Sequence, residues 1–70
     1  MLGFMGNIGE IIKDRRKEFR LTQAQLAKLA KVSINTLTQI EREEGNPTLA
    51  VLNRILETLG LRMTATVLER

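Results

Sequence analysis

The sequence predicts an all-α fold, four short helices followed by one C-terminal β-strand, and three observations predict it. Apolar residues recur at spacings of three and four in successive short stretches between Ile8 and Leu59. Thr22, Ser33 and Thr48 each stand just before such a stretch, where a side-chain oxygen can cap a helix. After Gly60 the apolar period falls to two.

The first helix is expected from Ile8 to Phe19, capped by Asn7, with Ile8, Ile11, Ile12, Arg15 and Phe19 on one face. Thr22 and Gln25 form a capping box that opens a second helix over Gln23 to Ala30, with Leu26, Ala27, Leu29 and Ala30 facing inward. Lys31 and Val32 make a tight connection. Ser33 then caps a third helix whose buried positions are Leu37 and Ile40, and which stops near Glu44 because Gly45 suits a left-handed turn and Pro47 forbids continuation. Thr48 opens a fourth helix with Leu49, Leu52, Ile55, Leu56 and Leu59 as its stripe, and Gly60 ends it. From Leu61, the residues Leu61, Met63, Ala65 and Val67 alternate with Arg62, Thr64 and Thr66, the pattern of a strand with one buried face. The chain thus divides into an N-terminal extension over 1–7, a helical unit over 8–60 and a strand segment over 61–70.

Seventy residues, of which 43% are hydrophobic and 27% charged, suit one soluble domain with an aliphatic core, since Phe4 and Phe19 are the only aromatics. Such a chain gains from dimerisation. There is no apolar run long enough to span a membrane and no basic region of a secretion signal, so a cytoplasmic protein without a membrane partner is expected. Cysteine and histidine are absent, which removes disulfides, thiolate chemistry, zinc-finger ligation and His-dependent acid–base schemes. No cofactor, metal or enzymatic activity is expected. The net charge of +3 is unevenly spread, with Lys13, Arg15, Arg16, Lys17, Arg20, Lys28 and Lys31 all in the first half. A basic first half suits contact with phosphate, although basic surfaces are also common on proteins that never meet nucleic acid.

Two short helices joined by a tight turn, the second capped by Ser33 and polar on its outer face, form a helix-turn-helix geometry that can enter the DNA major groove. Gln23 lies at the amino end of the second helix, where free amides and the helix dipole favour a phosphate. On the third helix Asn35, Thr38 and Gln39 project away from Leu37 and Ile40, and carboxamides pair bidentately with adenine.

Leu21-Thr22-Gln23-Ala24-Gln25-Leu26-Ala27, Val32-Ser33-Ile34-Asn35-Thr36-Leu37, Ile40-Glu41-Arg42 and Asn46-Pro47-Thr48-Leu49 together resemble the Cro/cI-type (Xre-like) helix-turn-helix domain over residues 8–60. The resemblance implies that Gln23 contacts a phosphate, that Ile34, Asn35, Thr38 and Gln39 face base edges, and that Asn46 and Thr48 approach the sugar-phosphate chain. It also implies a structural pair of Arg16 with Glu41. The segment Gly60 to Val67 resembles the ending of HipB-like antitoxins, which pair with HipA-type kinase toxins and whose last strand pairs with its copy across a dimer two-fold axis.

Each position also has a plainer reading. Gln23 is a good exposed helix former, Gln39 costs nothing in a helix, Ile34 either packs on a neighbouring helix or touches a thymine methyl, and Asn46-Pro47-Thr48 is ordinary turn and cap chemistry. Asn35 and Thr38 are poor helix formers, and base reading would explain them. Two departures from the pattern stand out: Lys31 replaces a small glycine, and Glu43 and Glu44 stand where basic residues are common. The expectation is a homodimeric repressor of an inverted-repeat operator on double-stranded DNA, with an autoregulating antitoxin and its HipA-like kinase toxin partner as the narrower form of that reading. The alternative is a protein-interaction module with weak or no DNA binding, favoured by the acidic pair.

Overall fold

The computed structural model describes residues 7–64, which fold as α1 (Ile8–Glu18), α2 (Gln23–Ala30), α3 (Ile34–Glu41) and α4 (Leu49–Thr58). The three hydroxyl caps form as expected. Thr22 Oγ1 accepts from Gln25 N at 3.0 Å while Gln25 Oε1 accepts from Thr22 N at 2.8 Å; Ser33 Oγ accepts from Thr36 N at 3.0 Å; and Thr48 Oγ1 accepts from Val51 N at 3.1 Å. Each satisfies an amide that the helix itself cannot. Asn7 is not a side-chain cap: it makes no such bond, and α1 takes its N-terminal partner from elsewhere.

All four helices stop in the same way. A left-handed residue follows the last turn (Arg20 at φ 58°, Lys31 at φ 61°, Glu43 at φ 59° and Gly60 at φ 73°). The next amide then reaches back to the helix, Leu21 to Arg16 O at 3.1 Å, Val32 to Ala27 O at 3.0 Å, Glu44 to Gln39 O at 2.8 Å and Leu61 to Leu56 O at 2.8 Å. In this motif the residue after the left-handed one usually packs on the helix it closes, and Leu21, Val32 and Leu61 do pack against the core. Only Gly60 was legible as such a stop. α3 accordingly ends at Glu41, short of Glu44, because Glu43 takes up the left-handed conformation before Gly45 does.

Lys31 therefore holds a conformation that costs an L-residue roughly 1–2 kcal/mol, partly offset by the greater chain entropy of a glycine there. Lys31→Gly is expected to raise stability by about 0.5–1 kcal/mol, read as a higher urea midpoint at unchanged slope. A lower midpoint would mean that the Lys31 side chain contributes more than its backbone costs.

Ile12, Leu26, Leu37, Ile40, Leu52, Ile55 and Leu59 are fully buried at the centre, with Ala27, Ala30 and Leu56 beside them. α1 packs on α3, and α2 packs on both α3 and α4. The alanines keep α2 thin enough for this. The buried face of α1 differs from the one expected: Gly9, Ile12 and Arg16 face inward, while Ile11 and Phe19 are about half exposed at 49% and 47%. Hydropathy alone places Ile11 inside, yet the close approach of Gly9 to α3 and the burial of Arg16 rotate the helix the other way. Phe19 lies just past the helix end under the Arg15 guanidinium, 4.7 Å from its ring centre. Arg15 Nε in turn donates to Leu59 O at 2.9 Å and ties α1 to the end of α4. Leu29 and Leu49, also expected inside, are exposed. Leu26 and Ala30 already fill the contact face of α2, and Leu49 is the first residue of α4, ahead of the packed turns.

The described part of the tail, Leu61 to Thr64, is in no regular secondary structure, so over these residues the expected strand is not formed. A strand is defined by its ladder, and a single chain supplies no partner for one. The alternation does hold as far as it is described, with Leu61 and Met63 packed on the core and Arg62 and Thr64 exposed. Residues 65–70 and the N-terminal segment 1–6 lie outside the described residues. No helix among the described residues is long and apolar enough to cross a membrane.

Candidate nucleic-acid interface

α2, the left-handed turn at Lys31 and the Ser33-capped α3 make one rigid unit, because Leu26 and Ala27 on one side and Leu37 and Ile40 on the other are buried together. With Leu37 and Ile40 inward, the opposite face of α3 carries Asn35 at its centre, flanked by Ile34, Thr38 and Gln39. Asn35 and Gln39 are exposed, Ile34 is 48% exposed and Thr38 is half-buried. Ile34 thus keeps about half of its surface free on this side of α3.

Thr38 is half-buried because it meets Gln23. Its hydroxyl donates to Gln23 Oε1 at 3.3 Å, and Gln23 Nε2 donates to Glu41 Oε1 at 3.0 Å. Glu41 is buried, and its two oxygens also accept from Arg16, Oε2 from Nε at 2.7 Å and Oε1 from Nη2 at 3.0 Å. A further Arg16 nitrogen donates to Leu21 O at 2.8 Å. The pair expected between the first and third helices is thus present as a buried two-pronged bond, and it extends through Gln23 to the reading face of α3. Gln23 keeps its second amide hydrogen, a donor available to an anion at the start of α2.

Gln39 and Asn46 line one shallow depression with Thr36, Ile40, Glu44 and Pro47, so the helix residue and the loop residue are brought together. Gly45, at φ 79°, closes that loop over Gln39: a Cβ there would lie 3.0 Å from Gln39 Oε1. Asn46 is exposed, and Thr48 is exposed with its oxygen already engaged in capping α4. Glu43 behaves unlike a stray loop acid. Its Oε2 accepts from Glu10 N at 3.1 Å, which makes it the N-terminal partner that Asn7 does not supply to α1.

One residue of this face was missed in the sequence. Arg42 is exposed at the end of α3, one turn beyond Thr38 and two turns beyond Asn35, on the same side of the helix. The helix expected from the sequence already ran through it, but its outward face was followed no further than Gln39. Continuing the helical spacing from Asn35 and Thr38 would have found it.

Residues 12–65 match the helix-turn-helix family, the stretch that holds this α2–turn–α3 unit and its supporting helices. The chain belongs to the Cro/cI-type helix-turn-helix family. The immunity repressor protein of Bacillus phage phi105 is 44% identical over 62 residues, covering 89% of this chain and 43% of that protein. The chain therefore spans less than half the length of that relative. Within this helix-turn-helix domain, the match takes in every residue from Gln23 to Thr48 considered above.

Proposed function

We propose that this chain is the DNA-binding unit of a transcriptional repressor, a homodimer that places α3 of each copy in successive major grooves of an inverted-repeat operator. The observation that carries this reading is the outer face of α3, where exposed Asn35, Gln39 and Arg42 surround Thr38 on a capped helix of a helix-turn-helix domain. Ile34, Asn35, Thr38 and Gln39 take the base edges, and Gln23, Asn46 and Thr48 take the backbone. The likeness to a phage immunity repressor supports repression as the outcome. The reading as a toxin-holding interaction module rested on Glu43 and Glu44 near phosphate. With the Glu43 carboxylate held by an α1 amide, the repressor reading is the better supported.

The test is a selection of duplexes from a randomised library, followed by titration of the selected duplex and of random DNA at two salt concentrations. Specific binding should persist where non-specific binding fades. Asn35→Ala is expected to lose about 1–3 kcal/mol on the selected duplex with little change on random DNA and an unchanged melt. Equal losses on both would remove Asn35 from base reading.

Dimerisation is assigned to the segment from Leu61 onward, paired antiparallel with its copy about a two-fold axis. Its support is the alternation of packed Leu61 and Met63 with exposed Arg62 and Thr64, the pattern of a strand with one buried face. The two recognition helices must lie about 34 Å apart to enter one face of the duplex, which a monomer cannot arrange. Deleting the residues after Gly60 is expected to give a monomer without tight operator binding. A dimer persisting in sedimentation would place the interface elsewhere.

A further inference from the structure

We infer that Gln23, without touching a base, decides which kind of base Thr38 accepts, by fixing the direction of the Thr38 hydroxyl hydrogen. The inference rests on the reading of α3 as the helix that enters the major groove. It starts from Glu41. The carboxylate of Glu41, buried and paired with Arg16, can only accept hydrogen bonds, so the end of the Gln23 carboxamide that lies 3.0 Å from Glu41 Oε1 must be its nitrogen. The other end, 3.3 Å from Thr38 Oγ1, is then the carbonyl oxygen, which also can only accept. Of these two oxygens only the hydroxyl carries a hydrogen. In this arrangement Thr38 gives it to Gln23.

A threonine hydroxyl ordinarily addresses either kind of base edge, because its hydrogen rotates to suit. Committed to Gln23, the Thr38 oxygen offers the groove lone pairs alone. It suits a partner that donates, the exocyclic amine of adenine or cytosine, and it repels the keto oxygen of thymine or guanine. The chain Arg16–Glu41–Gln23–Thr38 thus converts a buried structural ion pair into a filter on the base read by α3. Turning the carboxamide over would place its oxygen against the Glu41 carboxylate, which makes the filter stiff.

The experiment compares duplexes selected from a randomised library by the parent chain, by Thr38→Val and by Gln23→Met, with matched melts as the check on folding. Thr38→Val keeps the shape and removes the hydroxyl. The position whose preference changes most between parent and Thr38→Val is the one that Thr38 reads, and the parent is expected to require adenine or cytosine there. Replacing that base by its amine-free analogue, purine or 2-pyrimidinone, should weaken the parent about three- to tenfold and leave Thr38→Val unchanged. Gln23→Met releases the hydroxyl, so at that same position it should accept keto and amino bases within about twofold of each other, while preferences elsewhere hold. A parent preference for guanine or thymine at that position, no position altered by Thr38→Val, or a Gln23→Met chain that keeps the parent's preference would each overturn the inference while leaving DNA binding intact. A parent chain that enriches no duplex overturns the DNA-binding reading, and this inference with it.

Discussion

Arg16→Ala is expected to lower the unfolding free energy by about 3–5 kcal/mol, a large share of the 5–15 kcal/mol typical of whole domains. The Arg16 and Glu41 side chains are 11% and 3% exposed, so water cannot take over from the missing guanidinium. The loss strands a buried carboxylate that has Gln23 as its one remaining donor, and it leaves Leu21 O without its side-chain partner. The charge, more than the bond, is what the variant exposes. Replacing both partners by apolar residues of similar volume, Arg16→Met with Glu41→Leu, should recover most of the loss, because an absent buried pair costs far less than half of one. Equilibrium denaturation of the two variants checks both statements. A single variant within a few tenths of a kcal/mol of the parent would mean that the pair is solvated in solution. The double variant also removes the Glu41 anchor of the Gln23 carboxamide, so stability restored by it should not bring back the parent's base preference.

Gly9→Ala should destabilise by about 3 kcal/mol, against the sign that helix propensity predicts. Alanine is the better helix former by about 1 kcal/mol in an exposed helix interior. At position 9, however, an added Cβ would collide with the carbonyl oxygen of Ile40 and lie 2.9 Å from the Glu43 carboxylate. A side chain could swing aside, but Ile40 O belongs to the α3 backbone. Relief therefore requires α1 and α3 to separate, which loosens the packing of α1 on α3 and lengthens the Arg16–Glu41 bond. Overpacking of this kind usually costs 1–3 kcal/mol, and the upper end applies where backbone must move. The variant's denaturation midpoint decides between the two effects. A higher midpoint would show that α1 and α3 lie further apart than here.

These two positions mark where sequence reasoning stopped. The chemistry of helix entry was legible because it is local: Thr22, Ser33 and Thr48 sit within one turn of the amides they cap, and no distant residue is needed to recognise them. The core was legible at Leu26, Leu37, Ile40, Leu52, Ile55 and Leu59, where the apolar period and the packing agree. On the candidate interface, the outward face of α3 followed from the same period, so Asn35 and Gln39 were placed correctly as exposed, and Arg42 was missed only because that face was not carried one turn past Thr38.

The sequence by itself determined the number and order of the helices, their caps, most of the core and the family resemblance, since all of these depend on neighbours within a turn or on a linked series of residues. Only the tertiary structure decided which way α1 turns, because a glycine's close approach and a buried arginine carry no apolar signal. It alone placed Arg20, Lys31 and Glu43 in left-handed turns, where closing the helix and seating Leu21 and Val32 on the core outweigh the backbone cost. And it alone joined Arg16, Glu41, Gln23 and Thr38, which come from α1, α2 and α3, because a hydrogen bond between distant residues depends on how helices pack and leaves no spacing to read.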